Sequence, residues 1–243
     1  MKALYLAWQD PETRRWHTVG HLSRAHAGYR FAYTQGALAS PRFEYLGRMR
    51  NKALVYHSDT LFPLFANRLL DASRPEYPDY LTWMGVDGTA DDLELLARSG
   101  GRRGTDQLCV YPEVEPNKQG EMTLYFFSHG LRYLTAAEQA AIGRLNACDA
   151  LQLTQDDDNA QDRYALLLET AEPVRVGYCP RYLNQDLRLI QKQTPIRLTV
   201  ERTNPEAPLQ FRLLCKALFV PPKGFQLYAT EEHQWLAREA MAA

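Results

Sequence analysis

A basic stretch in an otherwise neutral chain lies in residues 173–223. There Arg175, Arg181, Arg188, Lys192, Arg197, Arg202, Arg212, Lys216 and Lys223 face only Asp186, Glu201 and Glu206, a local surplus of six positive charges. Such a stretch is either a nucleic-acid contact or a solvated face of outward-pointing arginines, and charge alone leaves both open. Asp156, Asp157 and Asp158 read most simply as a turn that would repel phosphate, with a cation site the lesser alternative. Residues 99–106, Ser-Gly-Gly-Arg-Arg-Gly-Thr-Asp, have the glycines of a phosphate cradle but follow a helical pattern instead of opening one. The positive end of a helix dipole lies at its start, so this run reads as a helix stop with a solvent-facing Arg pair, or as a secondary anion contact. His57, Ser58 and Asp59 have the composition of a nucleophilic relay, yet adjacency in sequence does not arrange one. His17, His21, His26, His57, His129 and His233 show no ligand spacing and are expected to be structural. Cys109, Cys148, Cys179 and Cys215 are isolated, without a CxxC pair, and read as small buried hydrophobes. No carboxylate set has metal-site spacing and no kinase catalytic loop is present, so no catalytic residue, metal or cofactor is expected.

The elements that must hold these groups follow from patterning. Alternating aromatic and branched residues over 1–8, 16–22 and 29–33, separated by Asp10-Pro11 and Gly28 turns, predict a three-strand meander. Residues 59–97 turn helical: Ser58-Asp59 offers a first cap, Pro75 and Pro78 interrupt, and Asp91-Asp92 caps a last helix that Gly100-Gly101 stops. A strand over 107–112 leads into the polar loop 113–120, the best linker, so domains are expected at 1–120 and 121–243. Beyond it, strands are expected at 122–127, 151–153, 164–169, 174–178, 196–202 and 209–218. Helices are expected at 136–145, 183–192 and, capped by Thr230, 230–241. The fold class is α+β, an antiparallel meander with helices followed by a small barrel with short helices. Hydrophobic residues at 45% and charged residues at 23% exclude disorder, and no apolar run approaches the roughly 18 residues of a membrane span. The default compartment is the cytoplasm. Net charge is −1, so a nucleic-acid site must be local.

Three strings carry a resemblance. Residues 127–134, Phe-Ser-His-Gly-Leu-Arg-Tyr-Leu, precede an Asp-x-x-Asn-x-x-Asp loop feeding an apolar strand at 156–166, and then Gly177-Tyr178-Cys179-Pro180-Arg181 turning into a helix. In order and spacing, residues 123–217 resemble the HIRAN domain. HIRAN modules occur alone in bacteria and at the front of fork-remodelling ATPases, as an oligonucleotide-binding-like (OB-like) barrel that grips the 3' end of single-stranded DNA. The resemblance implies that Tyr133 stacks a base, Arg132 contacts a phosphate or base, and Asp162 accepts from the 3' hydroxyl. It further implies a backbone contact for Arg181 and a pocket wall for Tyr178. Phe211 is a candidate further stacking residue from the last strand. A strand end calls for these groups: aromatic faces for unstacked bases, cations for phosphates and an acceptor for the hydroxyl. Leu134 and Gln161 depart from the pattern, each standing where an aromatic is common.

Residues 61–70, 73–77 and 93–106, with 19–22 and 29–33, resemble the N-terminal subdomain of HipA-type kinases, without the kinase core. The expected function is therefore a non-enzymatic, DNA-binding protein that recognises single-stranded DNA, preferably at 3' ends. The alternative is a protein-interaction or antitoxin-like regulator of a HipA-type kinase.

Overall fold

The structure, a computed structural model, describes residues 2–237. They form two compact units, one made of residues 2–74, 89–113 and 228–237, the other of 75–88 and 114–227. The polar loop after residue 113 marks one of several passages of the chain between them.

In the first unit the expected meander, β1 (Ala3–Gln9), β2 (Trp16–Arg24) and β3 (Tyr29–Tyr33), is extended by β4 (Val55–Ser58) and β5 (Leu108–Pro112). The antiparallel order is β4-β3-β2-β1-β5. Leu4, Leu6, Val19, Leu22, Phe31 and Tyr33 bury one face against Phe65, Leu93 and Leu96. Between β4 and β5 run α1 (Pro63–Ala66), α2 (Tyr77–Met84) and α3 (Asp92–Ser99), of which α2 belongs to the second unit. Asp91 caps α3 by accepting from the Glu94 amide at 2.9 Å, and Gly100 ends it in a left-handed conformation at φ +71°. The expected cap at Ser58-Asp59 is not formed. Ser58 pairs with Tyr29 across the sheet, and α1 starts at Pro63 after an uncapped Phe62.

The helix expected from Thr230 is replaced, through Ala237, by a single 3-10 turn at Glu231–His233 and an extended run; residues 238–241 lie outside the described residues. The sheet claims this segment's backbone. The Gln35 amide donates to the Gln234 carbonyl at 2.8 Å and the Leu236 amide to the Tyr33 carbonyl at 2.9 Å. Side chains complete the attachment: His17 Nδ1 meets Glu232 Oε1 at 3.0 Å, and His233 Nε2 meets the Tyr111 hydroxyl at 2.9 Å. His21 Nε2 sits 3.0 Å from Glu113 Oε2, and Tyr5 packs edge-on to both His21 and His233. Three of the histidines thus share one polar cluster, a grouping that their spacing in the chain conceals. They pair with carboxylates and hydroxyls, and among the described residues no group of three or more His, Cys, Asp or Glu is arranged to hold a metal.

Burial pushes His233 down to about 4. Between that value and the ordinary histidine value the unfolded chain binds more protons than the folded one, so stability falls as pH is lowered through this window. The hydrogen bond from His21 holds Glu113 below the usual range. For Glu232 burial is the largest single influence and pushes upward, but the bonds from His17 and the Thr18 amide, with the nearby His17 and His233 rings, together outweigh it and lower the carboxyl. Both lose their contribution at still lower pH. Acidification from pH 7 to 4.5 should therefore cost the first unit about 1–2 kcal/mol. Hydrogen exchange should show it first at residues 228–237, and His233→Gln should flatten the dependence.

The second unit contains β6 (Met122–Phe127), α4 (Ala136–Ile142), β7 (Ala150–Gln155), β8 (Leu166–Thr170), β9 (Arg175–Tyr178), α5 (Arg181–Gln191), β10 (Arg197–Thr203) and β11 (Leu213–Phe219). All pairings are antiparallel, in the order β6-β11-β10-β7-β8-β9, giving the mixed α+β fold its second sheet. Leu124, Phe126, Leu151, Leu153, Leu166, Leu168, Val176, Leu198 and Val200 are buried at alternating positions, and α5 buries Leu183, Leu187 and Ile190. The sheet curls until its two edges touch at a single bridge. There the His129 amide donates to the Tyr178 carbonyl and the Tyr178 amide to the His129 carbonyl, both at 2.9 Å.

Two sequence expectations need correction. Phe211 lies in a 3-10 turn, Leu209–Phe211, entered from Pro208 and placed before β11, not on the last strand. Cys148 is exposed, at φ +72° in the turn before β7, whereas Cys109, Cys179 and Cys215 are buried as expected and burial raises their thiol pKa values. No helix among the described residues is long and apolar enough to cross a membrane.

Candidate functional site

The bridge between the sheet edges organises the site. Its close approach depends on Gly177, whose φ of +121° suits few residues with a side chain. A Cβ there would lie 2.0 Å from Ser128 Oγ and 2.7 Å from the His129 carbonyl oxygen. Ser128 uses that space to donate from its buried hydroxyl to the Val176 carbonyl at 2.8 Å.

Directly after the bridge, Gly130 adopts φ +76° and turns the chain into a 3-10 turn, Leu131–Tyr133. Leu131 and Leu134 anchor the turn in the core, so the intervening Arg132 and Tyr133 must point outward. Leu134, which replaces the expected second aromatic, is an anchor and not part of a stacking surface. Tyr133 is 69% exposed. The Arg132 guanidinium lies 4.6 Å from its ring centroid and hydrogen-bonds its hydroxyl, which restrains the ring at the surface. A Cβ at Gly130 would stand 3.2 Å from the Tyr178 ring and 4.0 Å from the Tyr133 ring, so the two tyrosines flank one glycine.

From Tyr178 a polar chain runs into the acidic loop. The Tyr178 hydroxyl donates to Asp156 Oδ2 at 3.0 Å, and Asn159 Nδ2 donates to the same oxygen at 2.9 Å. Asn159 Oδ1 accepts from the amides of Gln161 and Asp162. Burial, then the Asp156 carboxylate, raises the Tyr178 pKa, so this phenol remains a donor. Asp162 Oδ1 accepts from the Tyr164 amide at 3.0 Å, and its Oδ2 from Asn184 Nδ2 at 2.8 Å. Arg181, the first residue of α5, donates to the Gln161 carbonyl at 2.7 Å and holds Nε 3.8 Å from Asp162 Oδ2. An ionised carboxylate has about four acceptor positions, so Asp162 retains capacity for a further donor.

The structure thus joins Arg132, Tyr133, Tyr178, Asp162 and Arg181 through one sequence of contacts across the bridge. Phe211 stands apart in character. Its half-buried ring packs on Phe127 at 5.2 Å and Tyr80 at 6.4 Å, although its turn neighbours that of Tyr133. Its ring is less exposed than that of Tyr133.

Four polar residues to which the sequence reading gave no individual site role complete the arrangement: Asp156, Asn159, Asn184 and Arg188. The three-residue spacing of Asp156, Asn159 and Asp162 was the visible signal for the first two. Arg188 is neither a solvated nor a ligand-facing cation. It is buried and donates to Asp157 at 2.5 Å and to the Ala165 carbonyl at 2.6 Å, pinning the loop and neutralising part of the acidic run. Arg175 is likewise committed, to Glu138 Oε1 at 3.0 Å. Glu138 in turn forms the capping box with Thr135 at the start of α4.

Comparison with known proteins bears on this region. No curated protein matches the chain. Among solved structures, the HIRAN domain of human HLTF aligns at 20% identity with a TM-score of 0.34, covering 46% of this chain and 98% of that one. A protein from Lactobacillus plantarum aligns at 21% identity with a TM-score of 0.33, covering 41% and 98% respectively. The bridge, the exposed tyrosine and the acidic loop all fall within residues 122–217, and it is this stretch that matches the family model of the HIRAN domain.

Proposed function

We propose that this chain is a non-enzymatic DNA-binding protein that recognises single-stranded DNA, preferentially at a free 3' end, through the surface beside the His129–Tyr178 bridge. One observation carries the reading. An exposed, guanidinium-backed ring at Tyr133, a tyrosine wall at Tyr178 and a carboxylate with spare acceptor capacity at Asp162 are linked across a single seam. A base stacks on Tyr133, the terminal hydroxyl donates to Asp162, and Arg132 and Arg181 contact the backbone phosphates.

The experiment compares labelled oligonucleotides that carry a 3' hydroxyl or a 3' phosphate. The free hydroxyl should bind about tenfold or more tightly, because a terminal phosphate brings negative charge against Asp162 and loses the donor. Equal affinities would reject end recognition, and no binding at about 50 mM salt would reject single-stranded DNA as the ligand. The alternative, a regulator of a HipA-type kinase, predicts kinase association that is indifferent to Tyr133→Ala.

A further inference from the structure

The acidic loop carries a second arginine-over-tyrosine pair. The Arg163 guanidinium lies 4.6 Å from the centroid of the Tyr164 ring, the same separation as in Arg132 over Tyr133. The Tyr164 amide donates to Asp162 Oδ1, so the backbone carrying this ring is tied to the carboxylate itself. Arg175 and Arg188 are held by carboxylates, and Arg181 approaches one, whereas Arg163 engages none among the described residues and is exposed. Four aspartates lie within this loop, and an available cation at that place is what a phosphate would need in order to approach.

We propose that Arg163 and Tyr164 form a second nucleotide station, at which Tyr164 stacks the 3'-terminal base and Arg163 contacts the adjoining phosphate, with Tyr133 receiving the next base inward. The assignment rests on the single-strand reading above and adds an order to it: the station tethered to Asp162 takes the terminal nucleotide, because Asp162 takes the terminal hydroxyl. The Tyr164 side chain has no hydrogen bond within the described residues, so its replacement leaves the loop's own bonding intact.

The test measures binding of the full chain to labelled oligothymidylate with a free 3' hydroxyl, alongside the same strand made abasic at its last position. Tyr164→Ala should weaken binding of the intact strand about tenfold, Tyr164→Phe should retain it, and Arg163→Gln should lower both the affinity and the salt dependence. On the abasic-ended strand Tyr164→Ala should make no further difference, whereas Tyr133→Ala should still weaken binding. Full affinity in Tyr164→Ala combined with a loss in Tyr133→Ala would overturn this assignment and leave the proposed function standing. A wild-type chain that binds neither strand would overturn both.

Discussion

Tyr133→Ala is expected to lower affinity for single-stranded DNA by about 1–3 kcal/mol, five- to more than a hundredfold, with thermal stability nearly unchanged. The asymmetry follows from where the ring sits. It is 69% exposed and held by the neighbouring Arg132, so little of the fold depends on it, while Leu131 and Leu134 keep the turn in place without it. Tyr133→Phe should retain most of the affinity, since on the proposed reading the face of the ring stacks the base and the hydroxyl meets Arg132. Titration by fluorescence anisotropy, with a melting curve on each variant, checks both halves. A fall in melting temperature matching the fall in affinity would show that the tyrosine is structural.

Gly177→Ala should have the opposite profile, a large loss of stability from which the loss of binding follows. The added carbon would sit 2.0 Å from a buried hydroxyl and 2.7 Å from a backbone oxygen, at a φ of +121°. Steric overlap with backbone, disfavoured dihedrals and a broken Ser128 bond combine, and a cost of about 3 kcal/mol or more is expected. Chemical denaturation measures it. Ser128→Ala, which removes the nearest obstructing atom, should recover only part of the deficit, because the His129 carbonyl remains. Stability equal to wild type in Gly177→Ala would mean that the two edges are not held this closely.

The sequence carried the outline of the second unit well because its strings are local. Gly130 and the two flanking leucines already dictate a turn that throws Arg132 and Tyr133 outward, and alternation places the strands within a few residues. What it concealed was long-range pairing. Asp157 is the exposed turn residue that its sequence suggests, but its partner, Arg188, is on a helix that comes after two further strands and could not be read from spacing. Arg188 in turn inflated the count of available cations. His17 and Glu232 meet across 215 positions, so neither the histidine cluster nor the course of residues 228–237 along the sheet could be read from spacing. A local cap signal at Thr230 was overridden by hydrogen bonds to strands at the other end of the chain. At Ser58 the same competition ended the same way, the sheet taking the backbone that a helix cap would have used.

Tyr178 fastens the curled sheet through its backbone and, on the proposed reading, meets the DNA through its ring, so clasp and contact would be one residue. Two main-chain bonds join margins that elsewhere are stitched by whole ladders. The junction rests on these two main-chain bonds, and a ligand that touched both edges would oppose its opening. On the proposed reading, a bound strand end would add a stitch between these two edges, so that recognition and closure of the sheet would be coupled.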